Sequence, residues 1–204
     1  ENDNSKTESN KLNKFVFKEI LRNIAINIIH LCEIDNQKKI IFNSPISYQG
    51  KTKIILLLAQ TLTELGKKVL IIDLDIGKPD IHKYLGLSDN KGFDNFINEE
   101  KIEINDIIQE VKECKNLFFI SSGKKNNDDN NQINSTYFKK FIEIIDQKND
   151  YDFILFDSPP LFGSTDAKII SRLVDANILL FNLDDINKNI LTNSIKILKE
   201  LDIK

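Results

Sequence analysis

The apolar residues of this chain fall into short runs that alternate with segments of helical periodicity. Runs rich in β-branched residues, typical of buried strands, cover residues 39–43, 69–73, 117–120, 151–157 and 176–183. Apolar residues spaced three and four apart predict helices over residues 15–31, 53–65, 79–87, 93–97, 104–111, 136–145, 166–173 and 190–201. This alternation predicts an α/β fold, with a mostly parallel sheet covered by helices on both faces.

Two polar segments lie outside this pattern. Residues 1–14 are rich in Asn, Ser and Lys and show no periodicity, so we predict a disordered lead or linker there. Residues 121–135 form a low-complexity polar stretch, which predicts a long loop. The remaining pattern is continuous, and residues 15–204 are therefore predicted to form one domain.

The first strand is followed by Gly50-Lys51-Thr52 at the start of the helix over residues 53–65. A strand that turns into a helix points free backbone N–H groups and the positive end of the helix dipole at an anion. We predict that Gly50, Lys51, Thr52 and Lys53 bind a nucleotide, with the Lys51 charge at its β- and γ-phosphates and the Thr52 hydroxyl at Mg²⁺. The full phosphate-loop motif has a glycine where this chain has Pro45.

Three carboxylates come at the ends of two other predicted strands. Asp73 and Asp75 lie at the end of the run over residues 69–73, and Asp157 ends the run over residues 151–157. In an open α/β sheet, ligands bind beyond the carboxyl ends of the strands, so these acids should meet the phosphate loop there. Carboxylate oxygens suit Mg²⁺, and the sequence therefore predicts a site for a metal-bound nucleotide.

The composition of the chain limits the classes of molecule that we expect it to bind. The chain has 204 residues, of which 41% are hydrophobic and 29% charged, and its net charge is −3. This balance gives no basic surface for nucleic acid, so we expect no nucleic-acid partner. The cysteines, Cys32 and Cys114, have no metal-ligand spacing and indicate a reducing compartment. The sequence shows no long apolar run and no signal-peptide pattern, and it begins with Glu1, so we expect a cytosolic piece of a longer polypeptide.

The motifs together resemble those of a known family. Residues 44–52 are similar to the Walker A loop of the bacterial tyrosine kinases, a P-loop family attached to capsule and exopolysaccharide export machinery. Residues 69–82 resemble that family's Walker A′ segment, and residues 151–160 resemble its Walker B segment. The run Thr165-Asp166-Ala167 is similar to the one that follows Walker B in the family.

The resemblance implies a role for each matching residue. Lys51 would contact the γ-phosphate of ATP, and Thr52 and Asp157 would hold Mg²⁺. Asp73 would act as the base toward a tyrosine hydroxyl, and Asp75 would help to place the metal. Such a carboxylate, beside an electrostatically held phosphoryl group, fits transfer to a hydroxyl whose pKa lies near 10.

The resemblance also implies a cellular role and partners. The domain would be an ATP-dependent protein-tyrosine autokinase that regulates capsular polysaccharide synthesis and export at the cytoplasmic side of the bacterial inner membrane. Its partners would be a membrane polysaccharide co-polymerase segment, fused or on a separate chain, and a protein tyrosine substrate. Homo-oligomers would form through Glu19 and Arg22 on the first helix, where the third motif position is Ala25 rather than arginine.

Two other functions stay open at this point. A regulatory pseudokinase would account for Tyr48 in the phosphate loop, where a positive φ costs on the order of 1 kcal/mol, and for Gly77, where the family usually has arginine. A positioning ATPase of the kind that partitions plasmids or places division sites is the third reading. Loops of that class carry an extra lysine near their start, and residues 44–49 contain no lysine.

Overall fold

A computed structural model of the chain describes residues 2–99, 101–124, 133, 135–185 and 187–201. The strands are β1 (Lys39–Asn43), β2 (Val69–Asp73), β3 (Ile108–Glu110), β4 (Leu117–Ile120), β5 (Phe153–Asp157) and β6 (Ala176–Leu179). The helices are α1 (Asn2–Asp35), α2 (Lys51–Glu64), α3 (Ile81–Leu85), α4 (Phe93–Asn98), α5 (Ile104–Ile107), α6 (Ser135–Lys148), α7 (Thr165–Ser171) and α8 (Lys188–Glu200).

The six strands form one sheet in the order β3-β4-β2-β5-β1-β6. All neighbouring pairs are parallel except β3 and β4, which are antiparallel. The predicted α/β fold with a mostly parallel sheet is therefore confirmed. This order places β5 between β1 and β2, so the ends of the three strands that carry the predicted site lie side by side.

Helices pack on both faces of the sheet because the strands bury alternate residues on each side. On β1, for example, Ile40 and Phe42 belong to the hydrophobic cluster that includes α1 and α2, whereas Ile41 belongs to the cluster on the other face. The second cluster includes Phe93 of α4 and Phe141 of α6, whose rings meet edge to face with centroids 4.9 Å apart. Strands buried on both faces explain the continuous apolar runs in the sequence.

The second half of one predicted helix is wrong. The helix expected over residues 104–111 ends at Ile107, and the chain continues as β3, the antiparallel edge strand. Apolar residues at positions 104, 107, 108 and 111 have helical spacing, but Ile108 pairs with Ile120 in the sheet instead. The Gln109 side chain fixes the edge strand by accepting from the Ser88 N–H at 3.1 Å and donating to the Ser88 carbonyl at 2.8 Å.

Two of the other boundaries also differ from the prediction. Helix α1 extends back to Asn2, so it includes residues 2–14, where we expected a disordered lead. Strand β6 ends at Leu179 rather than at residue 183. Of the predicted loop over residues 121–135, residues 125–132 and 134 lie outside the described part of the chain. No helix in the described part is both long and apolar enough to cross a membrane.

Gly92, which precedes α4, supports the packing of this helix against the end of β4. A Cβ atom at Gly92 would lie 2.2 Å from the Ser121 carbonyl oxygen and 2.4 Å from the Gly123 backbone nitrogen. Since backbone atoms have little room to retreat, Gly92→Ala is expected to lower the free energy of unfolding by about 1–3 kcal/mol in urea titrations. Gly77→Ala is the matched control, because its Cβ would meet its nearest neighbour at 3.7 Å. Equal losses in the two variants would contradict this account.

Candidate active site

The loop between β1 and α2 has the shape of an anion-binding turn. Gly50 precedes the helix with φ 77°, and Tyr48 also has a positive φ, 64°. The first helical hydrogen bond runs from the Ile54 N–H to the Gly50 carbonyl at 3.1 Å, which leaves the earlier N–H groups of α2 without helical partners. The positive φ at Tyr48, a residue with a Cβ atom, confirms the expected backbone strain in this loop.

Lys51 and Thr52 share one buried carboxylate. The Lys51 ammonium donates to Asp157 Oδ1 and to the Ser158 carbonyl. The Thr52 hydroxyl donates to Asp157 Oδ2 at 2.7 Å. Lys51 is 8% exposed and Asp157 is 2% exposed, so these charges lie largely away from solvent. The structure thus brings together the first strand's loop and the Walker B-like acid, as predicted.

Asp73 is the most deeply placed acid of the site. It pairs in register with Asp157 on the neighbouring strand and is 1% exposed. Its Oδ1 accepts from the Asp75 N–H at 3.1 Å, whereas no hydrogen-bond partner for its Oδ2 is found among the described residues. Burial, followed by the negative charge of Asp157, raises the pKa of Asp73 well above its usual value. A carboxylate of this kind is a stronger proton acceptor than an exposed one.

Asp75 lies at the cleft rather than beneath it. It is half-buried, and its Oδ1 accepts from the Lys78 N–H at 3.1 Å. Burial raises the pKa of Asp75, and the nearby Lys51 charge partly opposes this shift. Asp73, the last residue of β2, and Asp75, two residues beyond it, therefore have different surroundings.

A cleft of about 430 Å³ opens over the phosphate loop. It is lined by four predicted nucleotide-binding residues, Gly50, Lys51, Thr52 and Lys53, together with Asp75 and Tyr48. Ser44, Ser47, Gln49, Lys78, Asp80, Tyr84 and Pro160 complete its lining. Asp157 and Asp73 do not line this cleft, and Asp157 is joined to the lining through its contacts with Lys51 and Thr52.

The donor set suits Mg²⁺ in the presence of phosphates. Among the described residues, no group of three or more His, Cys, Asp or Glu side chains forms a metal-binding cluster. Mg²⁺ does not need such a cluster, because it binds through one or two carboxylates, phosphate oxygens and water. Thr52 and Asp75 line the cleft with oxygen atoms of this kind, and Asp157 accepts from the Thr52 hydroxyl.

Some contacts of the site were not predicted from the sequence. The Lys78 ammonium lies 3.7 Å from the ring centroid of Tyr48 at the cleft. Gln49 Oε1 accepts from the Asn182 N–H at 2.8 Å and so ties the phosphate loop to the segment after β6. Lys78 was visible as part of the Walker A′-like segment, but nothing in the sequence indicated its partner or that of Gln49.

Comparison with known proteins places this geometry in a family. The profile of the AAA domain family matches residues 37–186. The candidate tyrosine-protein kinase CapB of Staphylococcus aureus is 32% identical over 177 residues, which cover 86% of this chain and 75% of CapB. The chain belongs to the bacterial tyrosine-kinase family. Another relative, the tyrosine-protein kinase ptk of Acinetobacter johnsonii, is 29% identical over 79% of this chain, but the match spans only 22% of ptk.

Solved structures share the fold of this tyrosine-kinase family member. The chimerical protein CapA2B2 superposes with a TM-score of 0.80 at 24% identity, covering 91% of this chain and 80% of the chimera. The septum site-determining protein MinD from Pyrococcus horikoshii OT3, solved with Mg-ADP, has a TM-score of 0.64 at 24% identity, over 81% of this chain and 65% of MinD. The kinase family and MinD thus share one nucleotide-binding P-loop fold.

Proposed function

We propose that this domain transfers the γ-phosphoryl group of ATP to a tyrosine hydroxyl of a protein. The observation that carries the proposal is the meeting of Lys51, Thr52 and Asp157 with a buried, pKa-raised Asp73 at the carboxyl ends of β1, β2 and β5. The match to relatives named tyrosine-protein kinases supports this reaction over simple nucleotide hydrolysis.

In this proposal, the phosphate loop binds the phosphates of ATP, and the acids bind Mg²⁺ together with Thr52. The N–H groups at the start of α2, with Gly50 at its N-cap, donate to the phosphates, and Lys51 and Lys53 add positive charge. Lys51 leaves Asp157 to bind the γ-phosphate. Thr52, Asp157 and Asp75 would hold Mg²⁺, which neutralises charge on the phosphates when it is bound.

Asp73 is proposed as the base. The bond between the γ-phosphorus and the bridging oxygen breaks, the tyrosine oxygen bonds to the phosphorus, and the phenolic proton passes to Asp73. The raised pKa of Asp73 narrows its difference from the tyrosine hydroxyl, so the proton transfer is less uphill than to an ordinary aspartate. ADP and phosphotyrosine are the products.

We propose that helix α1 binds the protein partners of the domain. Glu19 and Arg22 are exposed on it, whereas Ala25 is buried in the core, so an oligomer contact would use the first two. Exposed apolar side chains on the same helix, including Phe15 and Leu31, suit a protein partner. We propose a polysaccharide co-polymerase segment at the inner membrane as that partner, and capsule or exopolysaccharide export as the setting.

The proposal is tested by incubating the chain with Mg·ATP and detecting phosphotyrosine by mass spectrometry, with and without the co-polymerase segment. Lys51→Met is the negative control. Phosphotyrosine that depends on Lys51 supports the kinase. ATP binding without phosphotyrosine, even with the partner segment present, would favour the pseudokinase, and ADP formation without phosphotyrosine would favour a MinD-like ATPase.

Thr52 offers a separate test of the metal ligands. Thr52→Ala removes the hydroxyl that contacts Asp157, and we expect Mg²⁺-dependent ATP binding to weaken by about tenfold. Thr52→Ser retains the hydroxyl and should bind within about twofold of the unaltered chain. Isothermal titration with ATP, in the presence of Mg²⁺ and of EDTA, measures both. A loss of equal size in EDTA would show that Thr52 does not act through the metal.

A further inference from the structure

Tyr48 and Lys78 meet across the mouth of the cleft, although neither belongs to the predicted set of nucleotide-binding residues. Tyr48 comes from the phosphate loop, and Lys78 comes from the turn after Asp75. The Lys78 ammonium lies 3.7 Å from the centroid of the Tyr48 ring, within the range of a cation–π contact. Both side chains line the cleft where the phosphates are expected.

The backbone holds each partner in place. The Lys78 N–H donates to the Asp75 carbonyl at 3.0 Å and to Asp75 Oδ1 at 3.1 Å, which closes the turn that carries Lys78. Tyr48 is held at φ 64°, a backbone conformation in which residues with a Cβ atom are strained. Tyr48 is 84% exposed, so burial of its ring does not account for this conformation.

The Lys78 charge is available to a ligand. Lys51 donates to Asp157 and Lys83 contacts Asp80 at 2.7 Å, whereas no carboxylate among the described residues lies within ion-pair distance of Lys78. A lysine ammonium is charged at neutral pH. An ammonium group that lies with one side against an aromatic ring can still donate hydrogen bonds from its other side.

We propose that Lys78 is a further phosphate-binding cation of the cleft, in addition to Lys51 and Lys53, and that the ring of Tyr48 is the positioning group that holds it there. The ammonium stays over the ring while its remaining N–H groups donate to the terminal phosphates of the nucleotide. This inference rests on the proposed ATP site and deepens it, because it explains why a strained tyrosine is present in the phosphate loop.

The test is a double-mutant cycle on nucleotide affinity. Lys78→Met is expected to weaken Mg·ATP binding by about tenfold, because it removes a charge-assisted hydrogen bond to phosphate. Tyr48→Asn, which tolerates a positive φ, should weaken binding by about threefold through loss of the ring, and Tyr48→Phe should leave it unchanged. The double variant Lys78→Met/Tyr48→Asn should bind no more weakly than Lys78→Met alone, because the ring acts through Lys78.

Two controls complete the cycle. Adenosine, which has no phosphates, should bind all variants equally, and Lys196→Met should leave ATP binding unchanged, because Lys196 is an exposed residue of α8. Titration calorimetry gives the dissociation constants, and thermal unfolding checks that each variant is folded.

The outcomes separate this inference from the proposed function. Tight ATP binding that survives Lys78→Met overturns the role of Lys78 and leaves the ATP site intact. An equal loss from Tyr48→Asn in the presence and absence of Lys78, or an equal loss from Tyr48→Phe, overturns the role of the ring. Failure of the unaltered chain to bind ATP overturns the proposed site and this inference together.

Discussion

Asp73→Asn is expected to abolish tyrosine phosphorylation and, at the same time, to make the domain more stable at neutral pH. The loss of activity follows from the role proposed for Asp73, because an amide cannot accept the phenolic proton. General bases contribute roughly 10²–10⁴-fold to such reactions, and we expect a loss in that range. Phosphotyrosine formation at saturating ATP measures it.

The gain in stability follows from the surroundings of the carboxylate. Asp73 Oδ2 is buried without a hydrogen-bond partner among the described residues, and the charge of Asp157 lies on the next strand. An asparagine retains the oxygen that accepts from the Asp75 N–H, and its NH₂ group removes a buried negative charge. Removal of this buried negative charge is expected to raise the free energy of unfolding by about 1–3 kcal/mol, and urea unfolding should detect a gain of this size.

The pH dependence of this gain has a definite sign. The pKa of Asp73 is raised in the folded state, so folding favours its protonated form. The penalty is therefore absent below the unfolded pKa, about 3.9, and grows as the pH rises through the raised folded value. The stability difference between Asp73→Asn and the unaltered chain should be small near pH 4 and should increase with pH until Asp73 is ionised in the folded state. Asp150→Asn, at an exposed position, is the control, and an equal gain there would contradict this account.

Lys51→Met is expected to reduce phosphotyrosine formation by about 10²–10³-fold, because Lys51 supplies the buried positive charge at the phosphates. The same change should destabilise the free domain. It leaves the Asp157 carboxylate buried, with the hydrogen bond from Thr52 but without the ammonium. Removal of one partner from a buried ion pair costs about 3–5 kcal/mol.

Asp157→Asn in the Lys51→Met background separates the two effects. The neutral side chain removes the unpaired charge, so the double variant should recover part of the lost unfolding free energy but none of the activity. Urea unfolding and phosphotyrosine formation, measured on the same preparations, make the comparison. A double variant that is less stable than Lys51→Met would show that the Lys51–Asp157 pair does not account for the loss.

Much of the fold could be predicted because the central strands are buried on both faces. The predicted strands over residues 39–43, 69–73 and 117–120 match the observed bounds, since each is a continuous apolar run between polar segments. Strand β3 could not be predicted in this way, because it has three residues at an edge and continues the helical spacing of α5. The strand order could not be predicted either, because it depends on contacts between residues far apart in sequence.

The sequence predicts which residues lie close together in the site, because the topology of a parallel sheet determines which strand ends meet. The carboxyl ends of parallel strands meet at one edge, so Lys51, Asp73 and Asp157 had to lie near one another. Their differences in exposure and hydrogen bonding could not be predicted, because these depend on side-chain packing. The contacts of Tyr48 with Lys78 and of Gln49 with Asn182 join loops, whose backbone paths the periodicity of the sequence does not describe.

In the free domain, both oxygens of Asp157 are engaged, one by Lys51 and the other by Thr52. A nucleotide that binds here therefore has to replace the contacts of Lys51 and Thr52 with Asp157 by contacts with its own phosphates. In the proposed reaction, the lysine and the threonine would return to the aspartate after ADP leaves, so the loop would need no outside counterion. If the domain acts as proposed, we therefore expect the Lys51–Asp157–Thr52 contacts to moderate its affinity for nucleotide.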